Sequence, residues 1–188
     1  MPADPKSQSN HAETAAANPA AADPELQKRL AALRAQMRDS FGGIVMALMA
    51  LPRYRDQTLG DLRHLVLEPL IRDRLVTAHA GEGDQRAGGE IAGIALWASV
   101  SEEVDLSIRR QIREGVFPIR LKPDDWTSGR INWLLDVVAA DKAMTARVIA
   151  NFRQVVKEGG LRLHPLIARL VDEETLKKMG VEKAGGAG

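Results

Sequence analysis

One aspartate in an apolar run is the side chain in this sequence best suited to chemistry. The stretch WTSGRINWLLDVVAA, residues 126–140, sets Asp136 between leucines and valines. If this run is a strand, Leu134, Asp136 and Val138 share one face, and both faces are largely apolar. The strand should therefore be central in a sheet, with the carboxylate at least partly buried.

A buried carboxylate needs hydrogen-bond donors, a cation or a proton, because an ionised group left alone costs several kcal/mol. Two interpretations of Asp136 follow. It is either a structural residue that accepts backbone N–H bonds and fixes a loop, or an orienting or acid/base group in an open cleft, close enough to a substrate to act on it.

Other groups that could carry out chemistry are scarce. The chain has no cysteine, which excludes disulfides, thiolate metal ligands and a cysteine nucleophile. The four histidines are His11, His64, His79 and His164, and none of them is identified as a catalytic base. No histidine pair or acidic cluster has the spacing of metal ligands, and the loop GEGDQRAGG lacks a phosphate-binding pattern. We predict no metal and no bound cofactor.

Composition and charge limit the classes of partner. Lys and Arg number 26 against 25 acids in 188 residues, so no overall field favours nucleic acid. The longest apolar run, residues 44–51, is far too short to span a membrane. We therefore predict a cytoplasmic protein without a membrane span.

The domain organisation follows from composition along the chain. Residues 1–22 lack leucine, isoleucine, valine and aromatic residues, which predicts a disordered arm. A single domain, residues 23–180, should follow, with a flexible tail at residues 181–188.

Apolar periodicity predicts a helical first third followed by interleaved strands and helices. Asp23-Pro24 should start a helix that Gly42-Gly43 interrupts. The later elements are a hairpin of strands 74–80 and 90–99, a helix capped by Ser99, an edge strand 117–121, a strand 131–138, and a helix about 141–158 with a stripe of Met144, Val148, Phe152 and Val155. This order predicts an α/β (α+β) fold with a small mixed sheet flanked by helices.

Three segments resemble one family. The first and most specific carries Trp126, Thr127, Ser128, Gly129, Trp133 and Asp136; the second carries Trp97, Ala98, Ser101, Glu103 and Asp105; the third is Pro52-Arg53-Tyr54-Arg55, followed by a helix with Pro69. In this order and spacing they resemble the signature of the toxin-activating lysine acyltransferases, which mature pore-forming haemolysins. The resemblance covers roughly residues 41–158.

The resemblance implies an acetyltransferase-like α/β fold and a particular reaction. A fatty acyl group would pass from a thioester on acyl carrier protein to the ε-amine of lysines on an acceptor protein. Whether the protein forms a homodimer is left open by the resemblance. Because a lysine ammonium has a pKa of about 10.4, a proton must be removed as the amine attacks. A histidine and an aspartate are tied to that task in the family, and Asp136 stands at the position of the aspartate.

The sequence departs from the family at the histidine. Tyr54 stands where the imidazole is expected, and a phenol is only about 0.1 per cent ionised at pH 7. General-base help is worth about two to four decades in rate, so the exchange removes most of that contribution. Leu51 and Val66 also replace a serine and an asparagine that are usual in the family, on a gapless alignment.

Three functional hypotheses remain open. In the first, the protein acylates a partner's lysine, with Asp136 orienting or polarising the group that takes the amine proton. In the second, it is a binding module that kept the fold and lost the chemistry. In the third, the fold serves a small-molecule amine. A cluster of Arg109, Arg110 and Arg113 could meet an acidic carrier protein, but a solvated helix face is the preferred interpretation.

Overall fold

The computed structural model describes residues 23–80, 90–157 and 160–171. The chain divides into two units, one ending at Met37 and one starting at Arg38. A four-stranded mixed sheet with flanking helices and a helical N-terminal portion confirms the predicted α/β class. Among the described helices, none combines the length and hydropathy needed to cross a bilayer. The predicted arm, the tail and the GEGDQRAGG loop lie outside the described residues.

The sheet has the strand order β1-β2-β3-β4. Strands β1 and β2 form the predicted hairpin, β2 pairs with β3 antiparallel, and β3 pairs with β4 parallel. The strands are β1 Leu75–His79, β2 Ile91–Val100, β3 Ile131–Ala139 and β4 Leu161–Leu163. The helices are α1 Pro24–Met49, α2 Glu68–Ile71, α3 Glu102–Arg113, α4 Lys142–Val155 and α5 Pro165–Leu170, with shorter helical turns at Pro52–Tyr54, Arg63–Leu67 and Pro123–Thr127.

Side-chain caps fix where three helices begin. Asp23 accepts a backbone N–H at the start of α1 at 3.0 Å, as the sequence predicted. Asp141 does the same for α4 at 2.7 Å. The cap of α3 is Ser101 rather than the predicted Ser99, because Ser99 still belongs to β2 and the chain leaves the sheet only after Val100.

Helix α1 continues through Gly42-Gly43, so the predicted interruption is wrong. Two glycines cost a helix about 1 kcal/mol each relative to alanine, but Ile44 and Leu48 are buried just beyond them and packing outweighs that cost. Gly43 also permits a close approach, since an added Cβ would lie 2.9 Å from Cδ1 of Ile91.

The edge strand predicted for residues 117–121 does not form. The side chain of Gln111 accepts from the backbone N–H of Arg120 at 2.8 Å and donates to its carbonyl oxygen at 3.0 Å. These are the groups that a strand would use in a ladder, so the segment stays irregular. Ile119 and Leu121 are nevertheless buried.

Each face of the sheet carries its own core. Helix α4 packs on one face, where Val148 and Phe152 are fully buried. Val155, which was predicted to belong to the same buried stripe, is 56% exposed at the end of the helix. The opposite face meets α3 and the irregular segment at one end. At its other end it meets the second half of α1 and the turn Arg63–Leu67, and Asp136 lies at this end.

Candidate functional site

A β-bulge in β3 sets the direction of the Asp136 side chain. Leu96 pairs with Asp136 while the next residue, Trp97, pairs with Leu134, so Leu135 is an extra residue in β3. A bulge breaks the alternation of side chains along a strand and commonly redirects one of them. The prediction that Asp136 shares a face with Leu134 is therefore wrong.

The redirected carboxylate lies on the face of the sheet that meets α1. Leu134 belongs to the core under α4, whereas Val138 packs with Tyr54 on the opposite face, where Asp136 also points. Asp136 is 2% exposed and β3 is flanked by β2 and β4, which confirms the predicted burial and central strand.

Two side chains of the Pro-Arg-Tyr-Arg motif hold the carboxylate. Nη2 of Arg53 donates to both oxygens of Asp136 at 3.1 and 3.0 Å, and its Nε donates to Oδ2 at 3.3 Å. Oη of Tyr54 donates to Oδ2 at 2.6 Å, and the backbone N–H of Val137 donates to Oδ1 at 2.8 Å. Main-chain amides alone therefore do not account for this aspartate, as a purely loop-fixing role would require.

The short helical turn Pro52–Tyr54 delivers both partners. Pro52 begins the turn with a preset backbone angle, and the next two side chains reach a strand more than 80 residues away. The guanidinium carbon of Arg53 lies 5.4 Å from the Tyr54 ring centroid, and the Tyr54 ring lies 5.4 Å from that of Phe117. Arg53 and Phe117 thus both pack against the phenol ring.

Tyr54 is a hydrogen-bond donor here and not a base. Burial, the charge of Asp136 and the hydrogen bond to it raise the pKa of Tyr54 well above its ordinary value, against the opposing effect of Arg53. The neutral phenol is therefore the form that persists at neutral pH. Any role in moving a proton must keep the phenol protonated before and after the step.

His164 also lies in this region, although it falls outside the sequence segments that resemble the family. Its backbone N–H donates to the carbonyl of Leu134 at 2.9 Å, and its ring centroid lies 6.1 Å from that of Phe117. Nδ1 accepts the N–H of Leu166 at 3.2 Å, so the neutral ring carries its proton on Nε2. Burial lowers the pKa of His164, and the charge of Asp136 opposes this.

This histidine should make the fold sensitive to acid. Because its pKa is lower when folded, the unfolded chain binds more protons below about pH 6.5, and stability falls as pH falls through that window. His164→Asn keeps an acceptor for the cap but cannot titrate. Urea unfolding at about pH 7.5 and pH 5.5 should show a smaller acid loss in this variant. The same change at His79 is the control, and an equal acid loss in wild type and His164→Asn would contradict the expectation.

The second motif ties α3 to the sheet. Nε1 of Trp133 donates to Oδ1 of Asp105 at 2.8 Å, Nε of Arg109 binds Oδ2 at 3.1 Å, and Arg162 pairs with the same carboxylate. Burial raises the pKa of Asp105, but the bonds from Arg162 and Trp133 and the nearby arginine charges outweigh it and leave the pKa low. Asp105 is thus a structural anchor, with its full set of donors in place.

The Trp-Thr-Ser-Gly segment packs against the end of β2. Oγ of Ser128 accepts the N–H of Ser101 at 2.9 Å, and the N–H of Gly129 donates to the carbonyl of Ser99 at 3.2 Å. Trp126 is 1% exposed. These residues shape a turn and pack the strand, and in the described structure they supply no reactive group to Asp136.

Gly129 should tolerate no side chain. An added Cβ would lie 2.4 Å from the carbonyl oxygen of Val100, and this backbone cannot yield. Gly129→Ala is expected to lower the free energy of unfolding by about 3 kcal/mol. Gly42→Ala is the control: its Cβ meets nothing within 4 Å, and the helix should gain about 1 kcal/mol. Urea midpoints measure both changes, and equal midpoints would refute the steric explanation.

A small apolar cavity adjoins the Asp136 carboxylate. Its volume is about 10 Å³, the space of roughly one water, and Tyr54 is part of its wall. Ile44 and Leu48 also line it, so part of the apolar run 44–51 borders the site. The second interpretation of Asp136 required an open cleft, and the described residues leave none at its carboxylate, since the side chain is 3% exposed.

Sequence reasoning did not assign a role to Arg53. Arg53 lies in the Pro-Arg-Tyr-Arg motif, and the buried carboxylate of Asp136 was expected to need a donor, a cation or a proton. The sequence pattern did not connect Arg53 with Asp136. The signal that could have connected them is the position of Arg53 beside Tyr54, at the site where the resemblance implies a histidine. The histidines His64 and His79 lie in the turn Arg63–Leu67 and at the end of β1, respectively.

The fold and the site define an α/β protein whose central strand presents one buried carboxylate to a motif tyrosine and arginine. The model of the RTX toxin acyltransferase family matches residues 33–159. The chain therefore belongs to the RTX toxin acyltransferase family, which confirms the resemblance. Membership implies acyl transfer that activates a toxin partner. A comparison with curated protein sequences finds no match.

Proposed function

We propose that this protein transfers a fatty acyl group from a thioester on acyl carrier protein to the ε-amine of a lysine on a toxin-like partner, in the cytoplasm and on an acetyltransferase-like fold. The observation that carries the proposal is the 2.6 Å hydrogen bond from Tyr54 Oη to Asp136 Oδ2. It joins the family aspartate to the residue at the histidine position, in line for proton movement.

The phenol acts as a proton relay instead of a free base. The lysine ammonium first loses one proton to water, and the amine nitrogen then attacks the thioester carbonyl carbon. As the N–C bond forms, Tyr54 Oη takes a proton from nitrogen and passes its own proton to Asp136 Oδ2. When the C–S bond breaks, the leaving sulfur receives that proton back through Tyr54. The products are an amide and a thiol, and the raised pKa of Tyr54 is no obstacle because no phenolate forms.

Arg53 is the positioning residue for this relay. Its guanidinium binds both carboxylate oxygens and also donates to the carbonyl of Val137 at 3.0 Å, which orients Asp136 toward Tyr54. The neighbouring cavity holds about one water, so entry of a lysine side chain requires this space to widen. At 29% exposure, the Arg53 side chain remains partly accessible to solvent.

The direct test is acylation of a partner in vitro. The purified chain is incubated with acyl carrier protein bearing a fatty acyl group and with its co-purifying toxin-like partner, and acylated lysine is measured by mass spectrometry. The expected result is a mass gain that requires Asp136. Asp124→Asn, a change at an exposed aspartate, is the matched control. No mass gain with any partner lysine would overturn the proposal.

A binding module without chemistry is the second candidate. The observation that favours it is the closed state of the site, in which Arg53 and Tyr54 occupy the carboxylate and burial keeps the phenol neutral. It predicts that Tyr54→Phe leaves the Kd for the partner unchanged and that wild type acylates nothing. Measured transfer that depends on Tyr54 would exclude it.

A further inference from the structure

The N-terminal unit carries an apolar stripe that is open to solvent. Leu26, Leu30, Leu33 and Met37 are 50%, 42%, 61% and 39% exposed. Their spacing of four, three and four residues places them on one face of α1. At 1.5 Å per residue the stripe is about 16 Å long. Four large apolar side chains aligned on one face of a helix mark a contact surface.

Cations border this stripe on both sides. At 100° per residue, Arg29 and Arg34 are the charged residues nearest the stripe, one on each flank. The acids Asp23 and Glu25 lie in or beside the first turn, where they favour the helix N-terminus, and Glu25 pairs with Arg29 in an exposed contact. Lys28 lies on the opposite side of the helix. A partner that covers the stripe therefore meets positive charge at both edges.

A second copy of this chain suits the stripe poorly. Two copies packed along it, in either direction, would bring Arg29 and Arg34 against the same like charges. The stripe is also short for a helical dimer, which needs an apolar seam sustained over about three to four heptads. A membrane surface is disfavoured as well, because the polar face holds Ala31, Ala32 and Ala35 in place of a dense lysine and arginine face.

We propose that this stripe, residues 26–37, is the docking helix for the acidic acyl carrier protein that brings the thioester. The assignment rests on the proposed function for the identity of the donor. An acidic protein with an apolar groove complements both the leucines and the flanking arginines. The small contact also suits a carrier that must dock and leave, since interfaces of this size are weak and transient.

The arginines of α3 are the rival surface, and the structure weakens their case. Arg109 is bound to Asp105 at 3.1 Å. Arg110 and Arg113 occupy the last turn of α3, where cations favour the helix C-terminus without any partner. Their helix face carries one exposed apolar side chain, Leu106 at 66%, in place of a stripe like that of residues 26–37, because Ile108 is buried and Ile112 is partly buried.

The experiment measures the Kd of the full chain for acyl carrier protein at two salt concentrations. Leu30→Gln with Leu33→Gln should raise the Kd at least about tenfold, and Arg34→Glu about tenfold with a weaker salt dependence. Lys28→Glu makes the same charge change on the opposite side of the helix and should alter the Kd less than about threefold. Circular dichroism checks that each variant keeps its helix.

A second readout separates docking from chemistry. Transfer from acyl carrier protein should fall in the stripe variants, while transfer from a small acyl thioester, acyl-N-acetylcysteamine, should not. If wild type acylates from neither donor, the proposed function fails and the Kd series still decides the docking surface. An unchanged Kd in both stripe variants, equal weakening by Lys28→Glu, or tight binding of the stripe to anionic vesicles in place of acyl carrier protein would overturn the docking helix.

Discussion

Replacing Asp136 with asparagine should lower the rate of acyl transfer by about a thousandfold. Asparagine keeps the size of the side chain but cannot take the proton that Tyr54 passes on, and general-base help is worth about two to four decades. The change also removes the charged partner of Arg53 and the charge-assisted bond from Tyr54. Because Arg53 is partly exposed, we expect a loss in unfolding free energy of only about 2 kcal/mol.

Single-turnover acylation, followed by mass spectrometry, measures the first effect, and urea unfolding of the same sample measures the second. Asp105→Asn is the matched control, since Asp105 is a second buried motif carboxylate with a structural role. Asp105→Asn should destabilise the fold, but the folded fraction should transfer the acyl group at a rate within about threefold of wild type. A similar rate in Asp136→Asn and wild type, with stability alone reduced, would make Asp136 structural and end the proposed relay.

Tyr54→Phe should cost about a hundredfold in kcat with little change in KM. The phenylalanine ring keeps the packing against Phe117 but removes the only hydroxyl that bonds to Asp136 in the described structure. Stability should fall by about 1.5 to 3 kcal/mol, the contribution of a hydrogen bond to a charged group. Loss of kcat without loss of partner affinity is the result that a structural role of the phenol alone does not produce.

The pH dependence of kcat tests the role of Tyr54 independently. Because the pKa of Tyr54 lies well above neutrality, wild type should show no rate change near pH 6.5 from this residue. Tyr54→His places an imidazole at the motif position, so its kcat should instead rise with pH through the histidine range as the ring loses its proton. A wild-type activity that persists fully in Tyr54→Phe would contradict the relay.

Much of the local structure could be predicted from the sequence. The starts of α1 and α4, the hairpin of β1 and β2, and the central strand with its buried aspartate follow from capping residues and apolar periodicity, which depend on neighbours close in the chain. The tryptophan-rich motif likewise identified the family, because its spacing is tight and its residues are rare.

The failures concern places where packing outweighs local preference. Gly42-Gly43 carries every local sign of a helix end, yet Ile44 and Leu48 are buried against the sheet and hold the helix together. Residues 117–121 alternate like a strand, but the Gln111 side chain takes the backbone groups that a ladder needs. In each case the deciding partner is not visible from the local sequence pattern.

The sequence by itself determined that Asp136 is a buried carboxylate in a strand, and its resemblance to the family placed Tyr54 where a histidine is expected. Only the tertiary structure decided that these two side chains meet, with Arg53 beside them. The reason is physical: the bulge at Leu135 depends on the register between β2 and β3, and that register, set by pairing and packing across the whole sheet, turns the carboxylate toward a motif more than 80 residues earlier.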